Sequence, residues 1–187
     1  MATDTDFETT FEDALSTVPD EQFDRDRFVP GAGPLDADVM LVGEAPGETE
    51  VEQGRPFVGN AGRRLDSILD DISVDREALY VTNLVKVRPE GNTDPRQGEI
   101  DAWWPVLQAE LETVDPDVVV PLGSFASREL LSVDGGITEL RGETFERDGR
   151  AILPTFHPAA TFYDESKRSP LEGDLRNALA DAGGDEE

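Results

Sequence analysis

Apolar residues along the chain fall into two kinds of run. Residues 38–42, 79–87 and 117–122 are short and nearly continuous, rich in Val and Leu with Tyr80 in the second. Runs of that length and content predict strands buried on both faces of a parallel sheet. Between them the apolar positions take helical spacing. Residues 61–72 place Ala61, Leu65, Ile68, Leu69 and Ile72 together, and residues 99–114 place Ile100, Trp103, Trp104, Leu107 and Leu111 on one broad face. A short helix is predicted over 123–131 and a final one over 171–182. Phe7, Phe11, Ala14 and Leu15 make a helical stripe near the N-terminus. Residues 20–27 are charged and turn-like, and 30–34 and 90–95 read as loops. Residues 144–153 predict a hairpin turning at Asp148-Gly149. Strands alternating with helices imply an α/β fold with a mostly parallel sheet covered on both faces. The expected organisation is one domain over 1–187, with an N-terminal helix and loop over 1–37 and a loose acidic tail over 183–187.

Charge changes this picture more than composition does. There are 42 acids against 16 bases, a net charge of −26, and the only lysines are Lys86 and Lys167. Such a chain repels itself in dilute buffer. At molar salt the Debye length falls to about 3 Å and most of that penalty goes. The expectation is a cytoplasmic protein of a salt-loving cell; the rival, a partly disordered acidic chain, conflicts with the clear strand and helix patterns. Residues 1–10 lack the basic and apolar regions of a secretory signal, and no apolar run approaches the roughly 20 residues of a membrane helix. The chain has no cysteine and a single histidine, His157. Disulfides, thiol catalysis, cysteine-ligated zinc and multi-histidine metal sites are therefore excluded.

The acids are unevenly spread. Residues 53–65, 78–89 and 149–163 contain none, and the first window carries Arg55, Arg63 and Arg64. Buried strands explain part of this, but not the clustered arginines, which suit a face that must accept a polyanion such as nucleic acid. Glu44, Asn83 and His157 each fall at the end of a predicted element, the edge at which open α/β sheets bind ligands. An amide both donates and accepts, so Asn83 can read the edge of a base. A carboxylate can position water or stabilise a sugar cation, and an imidazole can hold charge developing on a leaving base. Phe57 can stack on a base lifted from the helix. Gly59 and Gly62 precede a helix, where backbone N–H groups can approach phosphate. Each has a plainer reading: a strand-end cap for Asn83, a packed core residue for His157 and Phe57, one acid among many for Glu44, a tight turn with close packing for the glycines.

Taken together, Gly43-Glu44-Ala45-Pro46-Gly47, Gly54-Arg55-Pro56-Phe57-Val58-Gly59, Thr82-Asn83, Lys86-x-Arg88-Pro89 and Phe156-His157-Pro158 resemble the uracil-DNA glycosylase superfamily. They are most similar to its family four, the thermostable bacterial and archaeal type. The resemblance runs from about Val39 to Pro158, with five motifs in order. It implies a three-layer α/β/α fold around a four-stranded, mostly parallel sheet. It also implies hydrolysis of the N-glycosidic bond of deoxyuridine flipped from DNA, in base excision repair and without a lyase step. By the same resemblance Glu44 and His157 are catalytic. Phe57 stacks on uracil, Asn83 reads its edge, Ala45 lies beside the base, and Glu50 stands near the uracil C5 position, where it would help reject thymine. Arg55, Gly59, Gly62, Arg63, Lys86 and Arg88 are the expected DNA contacts. Phe162 and Tyr163 are equal candidates for a wedge in the base stack or for core packing.

One departure is plain. Family four usually holds an iron–sulfur cluster on four cysteines, two near the N-terminus and two later. The later two positions correspond here to Val87 and Trp103, and the N-terminal pair falls in the cysteine-free region 20–34. No cofactor and no metal are therefore expected, and apolar packing of Val87 and Trp103 against the N-terminal segment is expected to fill the volume. The expected partner is uracil-containing DNA. The chain is expected to be a monomer away from membranes, and a sliding clamp is not indicated. The rivals are a uracil- or DNA-binding repair protein without turnover, and a glycosylase for another base such as hypoxanthine or mismatched thymine.

Overall fold

The computed structural model describes residues 4–183; the expected acidic tail lies, apart from Gly183, outside the described residues. In chain order the elements are helices α1 (Asp4–Thr10) and α2 (Glu12–Leu15), strand β1 (Val39–Gly43), helices α3 (Glu48–Gln53) and α4 (Asn60–Asp71), and strand β2 (Tyr80–Asn83). Then come α5 (Gln97–Val114), β3 (Val118–Pro121), α6 (Ser124–Leu131), α7 (Ile137–Leu140), β4 (Phe145–Arg147), β5 (Arg150–Ile152), α8 (Ala160–Tyr163) and α9 (Arg168–Ala182). The sheet order is β2-β1-β3-β5-β4. The first four of these run parallel and β4 pairs antiparallel with β5.

The expected four-stranded sheet is thus corrected to five. The hairpin supplies the extra strand: Asp148 and Gly149 both take positive φ, 52° and 78°, the two-residue turn whose twist matches its strands. That turn lays β4 on the sheet's edge.

Side chains alternate across the strands and build two cores. Met40, Val42, Tyr80 and Val119 face Phe7, Phe11, Trp103 and Leu107 on one side. Val39, Leu41, Val81, Val118 and Val120 face Leu65, Ile68, Leu171 and Leu175 on the other. Helices α1, α2, α5 and α6 thus cover one face and α4 and α9 the other, giving three layers. Helix α4 is fixed by Leu65, Ile68 and Leu69, each no more than 1% exposed, a burial of about 1.5–3 kcal/mol per side chain.

The region assigned to the family's cluster is packed with rings. Phe23 and Phe28 lie 5.1 and 6.0 Å from Trp103, and Phe7 lies 6.1 Å from Phe28. Val87 pairs with Phe28 in an antiparallel bridge. Residues 79–87 do not form one strand: the ladder to β1 ends at Asn83, and the chain then turns to meet the N-terminal segment, where the Val29 N–H donates to the Lys86 carbonyl at 2.7 Å.

Candidate active site

Three parallel strands deliver their carboxyl ends to one rim. Strand β1 ends at Gly43, β2 at Asn83, and the segment after β5 carries His157 past the end of β3. Gly43 has to be glycine: a Cβ there would fall on the Asn83 Oδ1 and on the edge of the Phe57 ring. Gly123 plays the same part for His157, with φ +91° and a would-be Cβ 3.2 Å from the His157 Cβ. The Phe57 and His157 rings stand 5.5 Å apart at 34°. An amide, an aromatic ring and an imidazole therefore converge beside Glu44, the residue after β1.

Phe57 is held in an uncommon way. Its φ is +52°, a conformation that costs a bulky residue about 1–3 kcal/mol and persists only where the surroundings enforce it. Gly62 permits it, since a Cβ there would overlap the Phe57 carbonyl. Gly62, an expected DNA contact, is buried against that turn and packs closely on it. Gly59 is also buried, with the Glu50 carboxylate 3.3 Å from where its Cβ would be. The same carboxylate lies 2.9 Å from the Cβ position of Gly47. Glu50 thus spans the two glycine turns, on a short helix that opens with Glu48-Thr49 and closes on Gly54 in the left-handed region.

The electrostatics separate the two expected catalytic groups. Burial pushes the Glu44 carboxyl up to about 7, with help from a hydrogen bond and negative charge at Asp94. Burial pulls His157 down to about 4, so the ring is neutral around pH 7. The Ala159 N–H donates to His157 Nδ1 at 3.1 Å. That hydrogen bond assigns the remaining proton to Nε2, leaving an N–H donor on the ring's other edge.

Lys86, an expected DNA contact, lies in the core. Its side chain is fully buried, 2.5 Å from Glu110 Oε1 and donating to the Asn83 carbonyl at 2.5 Å. Tyr80 OH donates to Glu110 Oε2 at 2.7 Å. The buried pair ties the end of β2 to α5. Among the other expected DNA contacts, Arg55 is exposed and 3.8 Å from Glu77, and Arg63 is exposed and bonded to Asn60 Oδ1. Arg88 is half-buried, with its Nε buried and without a hydrogen-bond partner. Ala45 is half-buried beside the core. Phe162 is 47% exposed beneath the Arg64 guanidinium, and Tyr163 is 93% exposed.

Sequence reasoning missed Asp94, Arg76 and Glu110. Asp94 and Arg76 carried no local signal. Glu110 did, because it sits one turn from Val106 and Leu107 and two from Trp103 on the apolar face of α5, where a charge demands a buried partner. No group of three or more His, Cys, Asp or Glu that could hold a metal ion occurs among the described residues.

A three-layer α/β protein with a cluster of Phe, Asn and His at its strand ends belongs to the class of fold that binds ligands at that edge. The Uracil DNA glycosylase superfamily model matches residues 30–180. The chain is 38% identical over 161 residues to the Type-4 uracil-DNA glycosylase of Sulfurisphaera tokodaii, covering 81% of this chain and 73% of that protein. Identity is 40% to the Type-4 enzyme of Saccharolobus solfataricus, covering 81% and 74%, and 42% to that of Thermotoga maritima, covering 72% and 71%. The chain belongs to the uracil-DNA glycosylase superfamily.

Proposed function

We propose that this chain is a monofunctional uracil-DNA glycosylase of base excision repair that works without an iron–sulfur cluster in a salt-rich cytosol. The observation that carries the reading is the convergence of Phe57, Asn83 and a neutral His157 beside Glu44 at the end of β1. A flipped uracil would lie on the Phe57 ring while the Asn83 amide, donor and acceptor together, reads its edge. As the C1′–N1 bond breaks, its electron pair leaves with the base. The His157 Nε2–H holds the negative charge that develops there, at the cost of no proton. Water forms the new bond to C1′ and gives its proton to the Glu44 carboxylate, whose raised pKa suits a base at neutral pH. Glu50, on the glycine turns beside this pocket, is the residue assigned to thymine rejection.

The donor set does not fit a cluster. The chain has no cysteine, and the cysteine positions of family four hold Val87 and Trp103 inside an aromatic pack. Turnover without a lyase step is supported by Lys86, whose ammonium is engaged by Glu110 and Asn83 and cannot form a Schiff base in that state. No helix among the described residues is long and apolar enough to cross a membrane. We read the chain as a monomer, with uracil-containing DNA as its partner and no indication of a sliding clamp.

The test is an oligonucleotide with one deoxyuridine, incubated at molar KCl and treated with hot alkali. Cleavage at uracil, absent at thymine and hypoxanthine and lost in Glu44→Gln with DNA binding retained, is the expected result. Folded wild-type protein that binds the DNA but leaves it intact would make this a binding protein. Activity lost above a few hundred millimolar salt would refute the salt-rich setting.

A further inference from the structure

Phe57 carries the stacking role proposed above, yet nothing in its own sequence holds it at φ +52°. The holding group comes from 19 residues along the chain. Arg76 opens the single helical turn Arg76–Ala78 before β2, and the Asp75 carboxylate caps that turn by accepting the Glu77 N–H at 2.9 Å. The Arg76 side chain is 19% exposed. It donates to the Pro56 carbonyl at 2.6 Å and to the Phe57 carbonyl at 2.5 Å, and it meets Asp66 Oδ1 on α4 at 2.8 Å. One planar guanidinium thus binds both carbonyls flanking the strained φ/ψ pair, while its charge is balanced from the helix that carries Gly62. The fork matters: a guanidinium presents several N–H donors in one fixed plane, whereas an ammonium is a point charge.

We propose that Arg76 is a positioning residue for uracil recognition, clamping the Pro56–Phe57 turn so that the Phe57 ring stays in the plane set by Gly43, Asn83 and His157. It touches neither base nor sugar; it acts through Phe57, and the inference rests on Phe57 being the stacking residue. Gly62 and Arg76 both hold the turn at the Phe57 carbonyl, one by shape and one by hydrogen bonds. The ring itself is 4% exposed and 5.5 Å from His157, so a turn that relaxes toward negative φ moves the aromatic face relative to every other group of the pocket.

The experiment is a double-mutant cycle at molar KCl, reading kcat and KM for uracil release, inhibition by free uracil, and Tm. Arg76→Lys keeps the charge for Asp66 and safeguards folding where Arg76→Met does not. Both variants are expected to raise KM and weaken free-uracil inhibition on the order of tenfold to a hundredfold, the usual cost of misplacing a positioned group. In a Phe57→Ala background the same change at Arg76 is expected to alter kcat/KM less than about twofold, because coupled residues are non-additive. Wild-type KM and uracil inhibition in Arg76→Lys would overturn the proposal. So would an equal loss in the two backgrounds, or a lowered Tm with unchanged uracil inhibition, each of which marks a merely structural tie. Phe57→Ala with undiminished uracil inhibition would instead remove the stacking reading, and the clamp's function with it.

Discussion

Replacing Lys86 by Met should cost more stability than any exposed charge in the molecule. Lys86 and Glu110 are both fully buried and 2.5 Å apart, and Glu110 also accepts from Tyr80 OH at 2.7 Å. Burial pulls the lysine pKa down while Glu110 pushes it back up, and the same carboxylate with burial drives Tyr80 well above its usual range. Methionine matches the length of the apolar stem, so packing changes little. The ammonium's loss, however, leaves a carboxylate in the core with one hydroxyl partner. Breaking a buried pair in this way typically costs about 3–5 kcal/mol. For 187 residues the unfolding entropy near the midpoint is about 0.4 kcal/mol/K, so Tm should fall by about 8–13 °C. Lys86→Met with Glu110→Gln removes the stranded charge and keeps a partner for Tyr80; it should return to within about 1–2 kcal/mol of wild type. Thermal unfolding by circular dichroism at molar KCl and at reduced salt checks both variants. The difference between them should barely change with salt, because screening acts weakly on buried charges. A single variant within about 1 kcal/mol of wild type, or a double variant no better than the single, would refute the reasoning. Because Lys86 also holds the Asn83 carbonyl, the single variant should raise KM for uracil-containing DNA as well.

Activity should fall as pH drops through about 7, where Glu44 takes up its proton; Asp94→Asn should move that limb of the kcat/KM profile to lower pH, since both contributions of Asp94 raise Glu44. Stability should show two opposing slopes, separable by denaturant titrations across pH at constant high salt. His157, depressed to about 4 from an ordinary 6.5, contributes stability present above 6.5 and lost as pH falls toward 4. Glu44, raised to about 7 from 4.5, contributes stability present below 4.5 and lost as pH rises toward 7. Glu44→Gln should therefore leave a stability that rises with pH between 4.5 and 6.5, and His157→Gln one that falls. Trp103→Ala should lose about 3–5 kcal/mol in a thermal melt, and elemental analysis of the purified wild type should find neither iron nor acid-labile sulfide.

The parts of the fold legible in the chain are those in which local pattern and burial coincide. Helix α4 was readable because Leu65, Ile68 and Leu69 lie at helical spacing and are all buried. Strands β1 and β3 were readable because both faces of the sheet are covered, which makes the run continuous. Glu44 and His157 stand where such a run stops, which the chain shows directly; Asn83 falls inside the apolar run 79–87, and only the fold places it at the end of β2. Helix α3 was not, for its sequence Glu-Thr-Glu-Val-Glu-Gln has one apolar residue and no stripe, and what closes it is Gly54 in the left-handed region. The overlong second strand had a physical source: Val85 and Val87 are apolar because they meet the N-terminal segment and the core, not because they continue the ladder. Lys86 looked like a surface base because its partner lies 24 residues later, and charge alone carries no information about burial. Asp94 and Arg76 were illegible for the same reason, since each matters through a residue distant in sequence.

The N-terminal segment, the turn after Asn83 and helix α5 are the three elements that a cluster on the family's cysteine positions would join. In this chain Phe23 and Phe28 join them by packing on Trp103, Phe28 stacked and Phe23 tilted, and the Phe28–Val87 bridge and the Val29 to Lys86 hydrogen bond complete the tie. The substitution changes what the joint responds to. Metal–thiolate bonds answer to oxidants and chelators, whereas an aromatic pack answers to water activity and is strengthened by salts excluded from protein surfaces. For a chain of net charge −26, the salt-rich setting proposed above would both screen its repulsion and tighten this joint. The joint reaches the active site by a short path: Val87 follows Lys86, Lys86 holds the Asn83 carbonyl, and Glu110, its partner, lies two turns along α5 from Trp103. The candidate rim is thereby tied to the aromatic pack around Trp103 through one buried ion pair.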